Sequence, residues 1–247
     1  MTNPILEVCA GSVQSARAAL AGGAQRVELC GALEVGGITP SIGLLRQVRA
    51  IEGLKLHVLI RSRGGDFLYT DDEVKVMETD IRIARDEGAD GVVIGALLPD
   101  GNIDERAVER WVKAAEGMSI TFHRAFDVAA NPQHALQCII NSGCNRLLTS
   151  GQAASAMQGL QLIANLQQQA QGQIVIMPGC GVNSNNAAEI LKATGTHEIH
   201  ASARKRCLSN MQFRPSGISM GNTADDAFDR YETDMEEVKR IVSQIAQ

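Results

Sequence analysis

The sequence predicts an α/β protein built as a single (β/α)8 TIM barrel over residues 1–247. Three observations predict it. Eight short apolar runs alternate with eight helical patterns along the chain. One turn recurs: Gly22-Gly23-Ala24-Gln25-Arg26, Gly88-Ala89-Asp90-Gly91, Gly143-Cys144-Asn145-Arg146 and Gly195-Thr196-His197-Glu198 each place a glycine able to end a helix just before a strand. The connections are also asymmetric. Links into strands are short, whereas the loops leaving them, 31–40, 62–70, 96–103 and 203–227, are long and rich in glycine and charge. An open doubly wound sheet is the structural rival, but Ala10-Gly11-Ser12 after the first strand is not a G-x-G-x-x-G turn.

Strands are expected near 5–9, 26–30, 56–61, 91–95, 119–124, 146–150, 173–178 and 198–202. Helices are expected near 12–21, 41–51, 72–87, 104–115, 132–142, 153–170, 183–193 and 233–246. Thr70 to Glu73 and Thr233 to Glu236 fit capping boxes, and Asp104, Asn131 before Pro132, and Asn183 are natural N-caps. The loop over 203–227 is long enough to form a lid, an interface or a short extra helix.

Alternate strand residues share a face. With Leu6, Val8, Val27, Leu29, Val58, Ile60, Ile199 and Ala201 turned toward the helices, the barrel interior receives Glu7, Cys9, Glu28, Cys30, His57, Arg61, Thr121, His123, Thr149, Glu198, His200 and Ser202. Ordinary barrels fill this space with branched apolar side chains. Each uncompensated buried ion costs on the order of several kcal/mol, so this set needs partner charges, a ligand or a metal. A closed structural network of Glu7, Glu28 and Arg61 is one outcome. The other is an active site in which Glu28 or Glu7 is the general acid or base, His123 its partner and Arg61 an anion clamp.

Pro178-Gly179-Cys180-Gly181-Val182-Asn183 follows the seventh strand. Its glycines permit close backbone approach to an anion, and a helix opening there favours one. Gly179, Gly181, Ser202 and Arg204 are therefore the expected anion-binding residues. Net charge is −5, no basic run is long, and aromatics are 3% of the chain; nucleic-acid binding is not expected. No segment reaches membrane-spanning length, and Met1-Thr2-Asn3-Pro4 has no basic leader character. A cytoplasmic protein with six reduced thiols is expected.

Taken together, Arg26-Val27-Glu28-Leu29-Cys30, Gly36-Gly37-Ile38-Thr39-Pro40-Ser41, Arg61-Ser62-Arg63-Gly64-Gly65-Asp66-Phe67, Thr121 to Asp127, Leu148-Thr149-Ser150-Gly151, Met177-Pro178-Gly179 and His200 to Arg204 resemble the CutC family, named for copper homeostasis. The resemblance implies a TIM barrel, a cytoplasmic location and a link to copper tolerance or Cu(I) binding. It carries Cys9 and Cys30 over as the metal ligands, at the ends of neighbouring strands whose axes lie ~4.8 Å apart; soft thiolates suit Cu(I). Cys180 stands where the family pattern has glycine. The first expectation is thus a copper-homeostasis protein binding Cu(I) at the barrel mouth. The alternative is a barrel enzyme acting on a small anionic, phosphorylated or not, substrate through Glu28, Arg61 and His123. A third is a scaffold whose last loop makes an oligomer interface, and a homodimer is expected.

Overall fold

The computed structural model describes residues 3–213 and 228–246. Eight parallel strands form one sheet: β1 (Ile5–Ala10), β2 (Arg26–Leu29), β3 (Lys55–Leu59), β4 (Gly91–Ile94), β5 (Ser119–Phe122), β6 (Arg146–Thr149), β7 (Val175–Pro178) and β8 (Glu198–Ala201). Each pairs with its neighbour in chain order, and β8 returns to β1. At the seam, β7 and β8 lie side by side, so the sheet curls into a nearly closed barrel. Around it run α1 (Val13–Ala21), α2 (Ile42–Arg49), α3 (Asp71–Asp86), α4 (Glu105–Ala115), α5 (Pro132–Asn141), α6 (Leu160–Ala170), α7 (Ala187–Thr194) and α8 (Met235–Ile245).

The expected faces hold. Leu6, Val8, Val27, Leu29, Val58, Ile60, Phe122 and Ile199 all pack in the layer between barrel and helices. Cys30, Leu59 and Val93 form a separate small cluster inside. Caps form where side chains can accept an orphan amide: Thr70 and Glu73 make a complete capping box, and Asp104 and Asn131 cap α4 and α5.

Two helices start later than their patterns predict. Residues 153–159 are turns, because the chain doubles back on itself there; a Cβ on Gly159 would lie 1.9 Å from the Ser150 carbonyl oxygen. The helix expected from 183 begins only at Ala187, since Asn183 makes a turn with Asn185 and Asn186. Thr149, expected inside, faces out: Leu148 shares the inner face with Arg146, and Thr149 bonds to Asp127. The ends of the long last loop form an antiparallel hairpin outside the barrel, β9 (Arg204–Cys207) with β10 (Arg230–Thr233). Of the loop over 203–227, expected to form a lid, an interface or an extra helix, residues 214–227 lie outside the described residues.

The recurring turn has a physical purpose at the bottom of the barrel. The carbonyls of Gln25, Asp90, Asn145 and His197 accept from Lys55, Ser119, Val175 and Ile5, each opening the next odd-numbered strand. The side chains of Gln25, Asp90 and Asn145 reach back to the amides of Leu6, Leu56 and Ile120 on the preceding odd strand. Gln25, Asp90 and Asn145 thereby each tie together the two odd strands that flank their own even one, a threefold staple that sets strand register.

Asn145→Ala is expected to lower stability by about 1–2 kcal/mol, the cost of leaving the Ile120 amide without its acceptor. Asn145→Asp, which keeps an acceptor, should lose less than half as much in urea unfolding. Equal losses would show that this bond does not hold the turn.

Candidate active site

The inner face of the barrel is lined by ions. Glu198 accepts from Arg146 Nε at 2.6 Å and Nη2 at 3.0 Å, and also from Arg26. Arg26 pairs on its other side with Glu7. Glu7 meets His200 Nδ1 at 2.9 Å, and His200 Nε2 lies 3.6 Å from Glu28. Charges alternate along this ladder from the barrel floor to its C-terminal mouth. Arg26 and Arg146 were not among the residues expected inside, although strand alternation puts Arg26 on the face of Glu28 and Arg146 on that of Leu148.

The ladder sets protonation. Burial pushes Glu7 up, but Arg26 beside it, with His200 and His57, holds it well below the usual carboxylate range. Burial opposes a charged His200, yet its bonds to Cys9 and Glu7 and the charge of Glu28 raise it well above an ordinary imidazole. At the top, burial raises Glu28 to about 7 against the pull of His200, with Glu7 adding to the rise. Glu28 therefore exchanges a proton near neutrality.

Glu28 opens into a cavity of about 410 Å³ at the C-terminal mouth, shared with Cys9, Cys30, Arg61, His123 and His200. Gly181, Ser202 and Arg204 line its β7–β8 side. Gly179 does not: its amide donates to Thr149, and its missing Cβ leaves room for Leu148 and His200. On the approach to α7, Ser184 gives its amide and hydroxyl to Glu237 rather than to an anion.

Arg61 is 5% exposed, and no carboxylate pairs with it among the described residues. Neutral oxygens hold it instead: Nη1 donates to the Val35 and Gly37 carbonyls and Nη2 to that of Gly65, with the guanidinium over the Phe67 ring. Arg61 thus pins the loops after β2 and β3 and neutralises neither Glu7 nor Glu28. The closed Glu7–Glu28–Arg61 network does not form.

His123 is held by Gly95 below it and Phe67 beside it. A Cβ at Gly95 would stand 2.5 Å from the imidazole, and the Phe67 ring is 5.0 Å away, centre to centre. Burial and the charge of Arg61 lower His123 to about 3. The imidazole that reaches Glu28 is His200, not His123. Asp127, a few residues on, fastens the loop after β6 through Thr149 and Ser150.

Cys9 and Cys30 both line the cavity, but they are not level. Cys9 registers with Glu28, so Cys30 sits two residues higher on β2; with ~3.3 Å rise per residue and ~4.8 Å between strands, the two Cα atoms are roughly 8 Å apart. The strand spacing alone therefore does not set a two-thiolate separation. Burial, then the charges of Glu28, Cys9 and Glu7, push the Cys30 thiol well up, which disfavours the thiolate. No group of three or more metal-ligating side chains occurs among the described residues.

The CutC family model matches residues 4–205. A CutC family protein from Bacteroides thetaiotaomicron is 48% identical over 240 residues, covering 97% of this chain and 96% of its own. One from Chromobacterium violaceum is 47% identical, with 96% of each chain covered. The chain belongs to the CutC family. The crystal structure of a Streptococcus agalactiae CutC, named for copper homeostasis, superposes with a TM-score of 0.77 at 32% identity, over 81% of this chain and 98% of that one. The family name carries copper; the ladder and the buried Arg61 belong to the geometry described above. No helix among the described residues of this CutC protein is long and apolar enough to cross a membrane.

Cys180 adopts φ = +80°, a conformation natural to glycine. Cys180→Gly is expected to raise stability by about 1 kcal/mol by relieving that strain, measured by thermal or urea unfolding; an unchanged or lower midpoint would mean that its Sγ contact with the Ala154 carbonyl offsets it.

His123 also predicts a pH dependence. Its folded pKa lies below the unfolded value, so below about pH 6.5 the unfolded chain binds more protons and stability falls as pH drops. Between pH 7 and 4.5 this group costs about 2–3 kcal/mol. His123→Phe should lose that much less stability over the same interval; parallel curves for the two proteins would show that His123 is charged when folded.

Proposed function

We propose that the mouth of this barrel is an active site for acid–base chemistry on a small anionic substrate. The observation that carries the reading is the buried Arg61 guanidinium, without a carboxylate partner among the described residues, in the same cavity as a glutamic acid that titrates near neutrality. An uncompensated buried cation costs on the order of several kcal/mol, and an anionic ligand offsets that cost. A pKa near the working pH suits a general acid or base. Glu28 is that group, Arg61 attracts the anion, and Gly181, Ser202 and Arg204 form the far wall for a phosphate or carboxylate. His200 couples Glu28 to the ladder below.

Copper is the second reading, favoured by one observation: two thiols, Cys9 and Cys30, line the same cavity. The donors fit Cu(I) in type, while their stagger and the raised Cys30 thiol weigh against a ready dithiolate. The reading includes a cytoplasmic location, where all six cysteines stay reduced. It also includes a homodimer, supported by Leu208 and Phe213, which are 70% and 75% exposed at the edge of the last loop.

The test is a thermal-shift screen with small phosphate esters and carboxylates. A ligand at a hundred times its Kd stabilises by about 2.7 kcal/mol, which is roughly 5–10 °C for a chain of this size. Arg61→Met should abolish the shift, while the surface change Arg46→Met should leave it. If no anion shifts the wild type, and anaerobic Cu(I) titration shows weaker binding in Cys9→Ser/Cys30→Ser, the cavity is a copper site. Equal Cu(I) affinity in the two proteins removes those thiols as ligands.

A further inference from the structure

We propose that His123 is an electrophilic hydrogen-bond donor in this cavity and that the substrate is a small anionic aldehyde or ketone, enolised there. The inference rests on the acid–base reading above and adds the functional group that reacts.

Hydrogen-bond roles fix the state of the ring. The amide of Ala125 donates to His123 Nδ1 at 3.1 Å. A nitrogen that accepts carries a lone pair, so His123 is neutral and its one proton sits on Nε2. That N–H is a donor only, and it is buried without a partner among the described residues. An unpartnered buried donor is costly, and few occur in a folded chain without a reason. The backbone holds this one in place: His123 caps the short 3-10 turn Arg124–Val128, and Gly95 on the next strand leaves the space its ring fills. The partly exposed Phe67 ring covers it, and the same ring lies under the Arg61 guanidinium at 4.9 Å. Displacing Phe67 presents a neutral N–H and a cation side by side.

A neutral imidazole donates well to a carbonyl oxygen and to the oxyanion formed from it, without surrendering its proton. Arg61 adds positive charge beside the same oxygen. Glu28, across the cavity, is the base. In the step, the C–H bond next to the carbonyl breaks and its proton goes to the Glu28 carboxylate. The electron pair forms a C=C bond, and the C=O π pair moves to oxygen, which the His123 N–H stabilises. Glu28 then returns the proton to the same carbon, and the oxygen pair re-forms the C=O bond. Nothing is oxidised or reduced overall, and no co-reactant is needed. A basic His123 would require Nε2 to be bare, which the Ala125 bond rules out. The cavity is at the small end of ligand sites, 300–1,000 Å³, and suits a substrate of a few carbons with one anionic group.

The experiment is solvent deuterium exchange followed by proton NMR, with four probes: glyceraldehyde 3-phosphate, ribulose 5-phosphate, pyruvate and 2-oxobutyrate. With at least one, the wild type should wash out the α-proton over 100-fold faster than His123→Phe, with binding of that probe retained, and His123→Gln, which keeps a donor, should restore part of the rate. If anions bind but none of the four exchanges above the solvent rate, this inference is overturned and the anion reading stands. If no anion binds, the reading beneath it fails as well. Should His123→Phe not fold, the wild type decides through its histidine ¹⁵N spectrum. The His123 proton should reside on Nε2 from pH 5 to 9 and move downfield with phosphoglycolohydroxamate, an enediolate mimic. A proton on Nδ1, or an unmoved signal with the mimic bound, overturns the proposal.

Discussion

Arg26 sits between two buried carboxylates, Glu7 and Glu198, and the barrel interior is built outward from that contact. Three cations, Arg146, Arg26 and the protonated His200, alternate with Glu198 and Glu7, and the series ends at Glu28. Burying any one of these groups alone is prohibitive; burying them in alternation lets each desolvated charge face its opposite. Burial still raises the two carboxylates, but the neighbouring arginines override it. Glu28 has no arginine against it, only His200 at 3.6 Å, so burial wins there. The group with the adjustable proton is therefore the one at the open end.

Space inside the barrel is made by what β4 lacks. Its inward positions are Gly91, Val93 and Gly95, and the two glycines stand against imidazoles of the flanking strands, His57 and His123, each within 2.7 Å of where a Cβ would be. Burial lowers His57 to about 4, with Glu7 opposing and Arg26 and Arg146 adding to the fall. Both rings are thus neutral, whereas His200, set against Glu7 and Glu28, is charged. One barrel holds imidazoles in two protonation states because His200 hydrogen-bonds Glu7 at 2.9 Å, whereas His57 stands 3.7 Å from Glu7 with Arg26 and Arg146 opposing its charge, and His123 faces Arg61.

Above this floor, Arg61 joins two loops through three carbonyls and leaves its charge without a counter-ion among the described residues. The same side chain shapes the mouth and charges it. This is why the acid–base reading and the copper reading meet in one cavity: the loops that Arg61 orders also cover Cys30, whose Sγ lies 3.6 Å from where a Cβ on Gly37 would be. A raised thiol beside a near-neutral carboxyl favours proton traffic over thiolate chemistry.

The barrel itself was legible in the sequence, since strand and helix periodicities are local and the stapling turns repeat at Gln25, Asp90 and Asn145. Alternation likewise named Glu7, Glu28, His123 and His200 as inward, because side-chain direction follows from the pleat. Alternation carried through would also have found Arg26, which shares the face of Glu28; Arg146 stayed hidden because Thr149, rather than Leu148, was expected inside. Pairing was another matter. Which carboxylate Arg26 meets, that Arg61 meets none among the described residues, and that His200 rather than His123 reaches Glu28 depend on register between strands and on loops folding over the mouth. The two-residue stagger of Cys9 and Cys30 has the same origin. A sequence determines which residues share a face, because that is set by neighbours along the chain. Only the closed barrel decides which of them touch, because residues as far apart as Glu7 and His200 become neighbours only when its last strand pairs with its first.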